Sequence, residues 1–89
     1  MVVNKGAFEV IDEVSVLVEA DDHRKGVFLQ HLSGGPIYLG FGKEDPVVGE
    51  GLVLWYEIPG ILVDDNRANM VIRGICGELE SASGAYSIS

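Results

Sequence analysis

Hydrophobic residues occupy every second position along residues 14–20, where Val14, Val16 and Val18 alternate with other residue types. A period of two in β-branched residues is typical of a β-strand. Other short apolar runs are bounded by turn-forming residues and indicate further strands. We place these at 7–11, 27–32, 37–41, 52–58, 61–63, 71–76 and 78–81.

Glycine and proline interrupt the chain too often for long helices. With 12 glycines and 3 prolines, only residues 7–25 and 61–73 are long enough for one. The first stretch has the strand period, and the second contains residues 64–69, which are rich in aspartate and asparagine and favour a turn. Strands spaced by about 8 to 12 residues predict one all-β domain over 1–89, a small antiparallel β-sandwich or barrel of six to eight short strands. The segments 1–6 and 82–89 are candidate extended arms.

Residues 24–42 carry almost no charge after Arg24 and Lys25 and are predicted to form a β-hairpin. Its strands are 27–32 and 37–41. The connection at 33–36 contains two glycines and a proline, which favour a turn.

Apolar residues exceed what so small a core can hold. The chain is 47% hydrophobic with a mean hydropathy of +0.25, and its 89 residues can build only one thin core. The runs 27–29 and 52–56 are apolar at consecutive positions, as in strands covered on both faces. We therefore expect a homo-oligomer, with a trimer as one candidate, or a subunit docked on another protein.

Five residues are candidates for this protein interface. Val53, Trp55 and Tyr56 lie in the longest apolar run. Because adjacent strand residues point to opposite faces, one of Trp55 and Tyr56 is expected in the core and the other at the interface. Tyr86 and Ile88 could anchor the C-terminal segment by adding a strand to a neighbour's sheet.

Charge and composition exclude several partners. The net charge of −8 would repel nucleic acid, and no run of about 18 apolar residues suggests a membrane span. The single cysteine, Cys76, fits a small buried residue in a chain made in a reducing cytoplasm. The N-terminal residues lack the apolar core of a secretory signal, so we expect a soluble, unexported protein.

No motif indicates catalysis, a cofactor or a metal. The chain lacks nucleophile-elbow, phosphate-loop and dinucleotide motifs, and an enzyme is not expected. His23 and His31 are not at metal-ligand spacing. The acidic pairs fall in expected turns; the 64–66 segment, Asp-Asp-Asn, is the best of them for calcium but lacks the spacing of a loop that wraps the ion.

The 24–42 segment resembles a pattern found in small virion proteins of tailed bacteriophages. That pattern runs Arg-Lys-Gly, an apolar stretch, Gln-Asn, a turn and Ile-Tyr-Leu-Gly-Phe-Gly, followed after a spacer by a motif similar to Gly-Glu-Gly-Leu. The last of these stands at 49–52 here, and His31 departs from the pattern where Asn usually follows the Gln. The other matching residues are Arg24, Lys25, Gly26, Gln30, Ile37, Tyr38, Gly40, Phe41 and Gly42.

The resemblance implies an all-β fold and a structural role in the virion, the expected localisation after synthesis in the host cytoplasm. Our leading hypothesis is a capsid decoration (cement) subunit that docks on the major capsid protein and stabilises the shell. One alternative is a tail or fibre module that binds a host receptor or glycan through exposed aromatics and the 43–49 loop. Another is a connector or tail-completion subunit.

Overall fold

Two four-stranded antiparallel sheets face each other in the computed structural model, which describes residues 5–88. The eight strands, in chain order, are β1 (Lys5–Val10), β2 (Ser15–Val18), β3 (Val27–Gly34), β4 (Ile37–Phe41), β5 (Val53–Leu54), β6 (Gly60–Val63), β7 (Ile72–Ile75) and β8 (Ala82–Ile88). The first sheet has the order β1-β8-β3-β6 and the second β2-β7-β4-β5. The predicted all-β sandwich is confirmed, with eight strands.

The core lies between the inner faces of the two sheets. Strand β3 shows how alternation along the sequence places side chains in this core. Val27 and Leu29 are fully buried, whereas the alternate residues Phe28 and Gln30 face outward. Both sheets contribute to the buried cluster of Phe8, Val10, Leu17, Val18, Val27, Leu29, Ile37, Leu39, Phe41, Leu54, Val63, Ile72, Cys76 and Ala82. One thin core is therefore shared by all eight strands.

The prediction of a hairpin at 24–42 is wrong. Strand β3 pairs with β6 and β8, and β4 pairs with β5 and β7, so these consecutive strands lie in different sheets. The chain leaves the first sheet at Gly34, whose φ is +93°, and the Gly35 N–H donates to the Ser81 carbonyl at 3.0 Å. The glycines thus let the chain cross from one sheet to the other. Because a hairpin turn uses the same residue types, the sequence could not distinguish the two connections.

The C-terminal segment is an inner strand, in contrast to the extended arm expected at 82–89. Strand β8 lies between β1 and β3 and pairs with both. At the other end, Lys5 and Gly6 already belong to β1, and residues 1–4 and 89 lie outside the described residues. Because β8 is paired with a strand on each side, the C-terminal segment is held within the sheet.

Two other predicted strands differ from the structure. Residues 78–81 form a turn in which Leu79 has a φ of +61° and is 93% exposed, so the leucine did not mark a strand. In β2 the register with β7 shifts between Val16 and Val18, which leaves Val16 exposed and both Leu17 and Val18 buried. This bulge breaks the strict alternation that the sequence pattern predicts.

Candidate interaction surface

Residues 55–58, which we call the aromatic tip, form a tight turn between the two sheets. The Trp55 N–H donates to the Ile58 carbonyl at 3.2 Å, and the Ile58 N–H donates to the Trp55 carbonyl at 3.0 Å. Neither central residue, Tyr56 or Glu57, has a positive φ, so this is not one of the primed turns that keep hairpin strands together. The chain accordingly leaves the edge strand β5 and enters β6 at the edge of the opposite sheet.

The predicted strand at 52–58 is therefore much shorter, and this changes the arrangement of the two aromatic residues. Strand β5 covers only Val53–Leu54. The rings of Trp55 and Tyr56 meet edge to face, with centroids 4.8 Å apart and planes at 61°. The expectation that they point to opposite faces is wrong because the chain turns at Tyr56 and does not continue as a strand.

The aromatic tip is largely apolar and open to solvent. Tyr56 is 70% exposed and Ile58 is 46% exposed, while Trp55 is half-buried beneath them. The Tyr56 hydroxyl donates to Glu57 Oε1 at 3.3 Å, so the tip also carries one exposed carboxylate. An aromatic pair with one exposed ring, beside an exposed aliphatic residue, is the composition of an interface anchor.

A row of half-buried side chains adjoins the tip on the outer face of the second sheet. Tyr38 pairs with Val53 on one side and with Ile75 on the other, so the three side chains share that face. Val53, a predicted interface residue, thus lies in this row. Tyr38, Ile58 and Ile75 are not among the five residues that the sequence predicts for the interface. The proline and glycine at 59–60 were the available signal that the apolar run ends in a turn.

Another part of this outer face, around Gly40, is covered by the chain's own loop. At Gly40, a Cβ atom would lie 2.5 Å from the Glu44 carbonyl oxygen and 2.6 Å from the Pro46 nitrogen. The Arg73 guanidinium donates to the Gly42 carbonyl at 2.6 Å and lies 3.9 Å from an Asp45 oxygen. The open part of the second sheet therefore includes the row beside the aromatic tip and, at the β2 edge, Val16.

Tyr86 and Ile88 lie elsewhere, on the inner side of the first sheet. Both are partly buried and pack against the hydrophobic core. The Tyr86 ring also covers Gly6, where a Cβ atom would be only 2.6 Å from the ring. These two residues stabilise their own chain in this structure, and the sequence pattern did not reveal that placement.

Two of the polar candidates for a metal, Asp65 and His31, are engaged within the chain. The Asp65 carboxylate accepts hydrogen bonds from Arg67 Nε at 3.1 Å and Nη2 at 2.9 Å, which lowers the pKa of Asp65. His31 Nε2 lies 2.9 Å from the Gly35 carbonyl oxygen, so this nitrogen carries the proton. Among residues 5–88, no three His, Cys, Asp or Glu side chains are grouped to hold a metal ion. The same residues contain no helix long and apolar enough to cross a membrane.

Comparison of this chain with protein-family models, with curated proteins and with solved structures finds no match. The fold assignment thus rests on strand pairing and burial.

Proposed function

We propose that this chain is a non-enzymatic structural subunit of a bacteriophage virion, a capsid decoration protein that docks on the major capsid protein shell. The observation that carries the docking role is the exposed aromatic tip, with Tyr56 70% and Ile58 46% exposed. The assignment to a virion comes from the resemblance at 24–42. The matching residues Ile37, Gly40 and Phe41 are buried, which agrees with a pattern that specifies a fold.

The size of the tip suits an adhesive subunit that acts in many copies. A few aromatic and aliphatic side chains bury too little area for tight one-to-one binding. A shell offers many equivalent sites, so modest contacts at each can stabilise the whole assembly. The net charge of −8 favours a partner surface that is neutral or basic around the apolar contact.

The test is to titrate the purified protein onto capsids that lack it and to image the particles. We expect the chain to occupy symmetry-related sites and to raise the temperature at which the shell breaks. Tyr56→Ala should reduce occupancy about tenfold or more, as for an interface anchor. Leu62→Ala is the matched control, because Leu62 is 58% exposed on the outer face of the other sheet. Absence of wild-type occupancy would end the proposal.

A second candidate is a tail or fibre module that binds a glycan. The contact between the Trp55 and Tyr56 rings favours it, since exposed aromatic faces stack on sugars. Glycan-array binding that disappears in Trp55→Ala, with the urea unfolding curve unchanged, would favour this alternative. A connector or tail-completion subunit would use the same tip, and its place in the imaged particle would identify it.

A further inference from the structure

Among residues 5–88, strand β1 leaves the longest free edge of the sandwich. It is the terminal strand of the first sheet and pairs with β8 on one side over six residues without a register shift. The other three edge strands are shorter: β2 and β6 have four residues each and β5 has two. Because β2 also carries a bulge and β6 is shorter, β1 is the longest regular edge for another strand to join.

The side chains of β1 alternate between the two faces of the first sheet. Lys5, Ala7 and Glu9 are exposed and face outward, whereas Phe8 and Val10 are buried. On the outer face of β1, the positive Lys5 and the negative Glu9 therefore lie at equal distances on either side of Ala7.

We propose that β1 pairs antiparallel with β1 of a second copy of this chain, about a two-fold axis at Ala7. In this register Lys5 of each copy lies opposite Glu9 of the other, so one strand pairing makes two ion pairs. On the inner face, Phe8 lies opposite Gly6 of the second copy, and the Tyr86 ring that covers this glycine is the group that the Phe8 ring would meet. The dimer has a continuous eight-stranded sheet, and its interface uses the same residues on both copies.

The charge pattern selects this register over its neighbours. Registers centred on residue 5 or on residue 9 place two lysines or two glutamates opposite each other, which destabilises the pair. A register centred on residue 6 places Lys5 opposite Ala7, and one centred on residue 8 places Glu9 opposite Ala7, so neither pairs Lys5 with Glu9. Only the register centred on Ala7 pairs both charges with opposite charges.

The predicted dimer is weak. A single pair of six-residue edges buries much less than the ~1,200 Å² of a standard interface, so association should be transient and concentration-dependent. The exposed ion pairs should be screened by salt, so the dimer should weaken as ionic strength rises. The proposal does not depend on the virion role, because it concerns the isolated protein.

Charge reversal provides the main test, read by sedimentation equilibrium from low micromolar to millimolar protein at low salt. Lys5→Glu and Glu9→Lys each place like charges opposite one another and should weaken the dimer about tenfold. The double variant K5E/E9K restores opposite charges and should recover wild-type association. Lys43→Glu and Glu13→Lys change the net charge equally at exposed positions outside β1 and control for general repulsion.

Cross-linking tests the register directly. Opposed residues in antiparallel strands have Cα atoms ~4.5–5.5 Å apart, within the ~4.4–6.8 Å that a disulfide spans. Ala7→Cys should therefore form a disulfide-linked dimer under a mild oxidant. Ser87→Cys should not, because Ser87 lies one strand away from the edge.

A wild-type protein that stays monomeric at millimolar concentration would overturn the proposal. So would a dimer whose affinity is unchanged by K5E and E9K, or is not recovered in the double variant. Capsid docking through the aromatic tip could still occur in either case, so the two proposals fail separately.

Discussion

Arg24 is a charged residue held in the interior by backbone carbonyls. Its side chain is 5% exposed, and its guanidinium donates to the carbonyls of Glu19 at 2.7 Å, Met70 at 2.6 Å and Ala68. Burial lowers the pKa of Arg24, while nearby Asp21 raises it. An arginine remains charged under such conditions, so the residue connects two loops through its planar fork of donors.

Replacement of Arg24 should destabilise the fold strongly. Arg24→Met leaves three carbonyls without their donor, and we expect a loss of about 2–4 kcal/mol in the free energy of unfolding by urea. Arg24→Lys should lose a similar amount, because a single ammonium cannot reproduce the fork. Arg67→Met, at an exposed ion pair, is the control and should lose at most about 1 kcal/mol. Equal losses at the two positions would contradict this account.

Cys76 should make stability depend on alkaline pH. Burial raises the pKa of this thiol above its ordinary value of 9.0, with Glu80 and Asp12 adding to the effect, and the thiol donates to the Val10 carbonyl at 3.6 Å. A raised pKa means that the folded protein prefers the protonated thiol. This contribution is complete below pH 9.0 and is lost as the pH rises through the folded value.

The measurement is urea unfolding of wild type and Cys76→Ala between neutral and alkaline pH. Cys76→Ala should be less stable than wild type at neutral pH, because it removes a buried atom. The difference in unfolding free energy between the two proteins should shrink above pH 9.0. A difference that stays constant would show that the thiol does not titrate differently in the folded state. Thiol labelling of the native protein should also be slow, since Cys76 is 1% exposed.

At the scale of elements, the turn between β3 and β4 decides the architecture. A Cβ atom at Gly34 would collide with the Ser81 carbonyl oxygen and lie 2.6 Å from the Ala82 Cα, both in backbone that cannot easily move. The glycine therefore provides close approach as well as a positive φ.

Gly34→Ala and Gly49→Ala separate these two effects. Both glycines have a positive φ, of +93° and +85°, but nothing lies within 4 Å of a Cβ atom at Gly49. Gly49→Ala should lose about 1–2 kcal/mol of stability from backbone strain alone. Gly34→Ala should lose at least about 2 kcal/mol more or fail to fold. Similar thermal midpoints for the two variants would contradict the predicted clash.

At the scale of the whole molecule, strand pairing joins distant parts of the chain. Strands β1 and β8 lie at opposite ends of the described chain and pair over six residues. Within the described part of the chain, β4 and β5 are the only strands that are both consecutive in sequence and paired in a sheet. The sandwich is therefore stable only when the C-terminal strand is in place between β1 and β3.

Removal of residues 82–89 should abolish cooperative folding. The deletion takes out an inner strand, exposes two new edges and removes Ala82, Tyr86 and Ile88 from the core. We expect near-ultraviolet circular dichroism to lose its aromatic signal and urea unfolding to lose its transition. A truncated protein with a sharp transition would show instead that this segment behaves as a dispensable arm.

Local sequence patterns predicted the positions of several strands. Strand β4 begins and ends where its apolar run does, at Ile37 and Phe41, and β1 and β6 lie within a few residues of their predicted positions. The turn at 78–81 was missed because an exposed leucine at a positive φ resembles a strand residue in an alternating pattern. The aromatic tip was misplaced because its turn residues, Tyr56 and Glu57, are not typical turn formers.

The sequence by itself determined that this protein is all-β, that it folds as many short strands and that it has more apolar residues than one small core can bury. Those properties follow from side-chain period and turn-forming residues, which act over a few positions. Tertiary structure decided that β3 and β4 lie in opposite sheets, that Tyr86 and Ile88 face inward and that Trp55 and Tyr56 meet at one tip. Strand pairing depends on packing between segments far apart in the chain, and no local pattern of residues contains that choice.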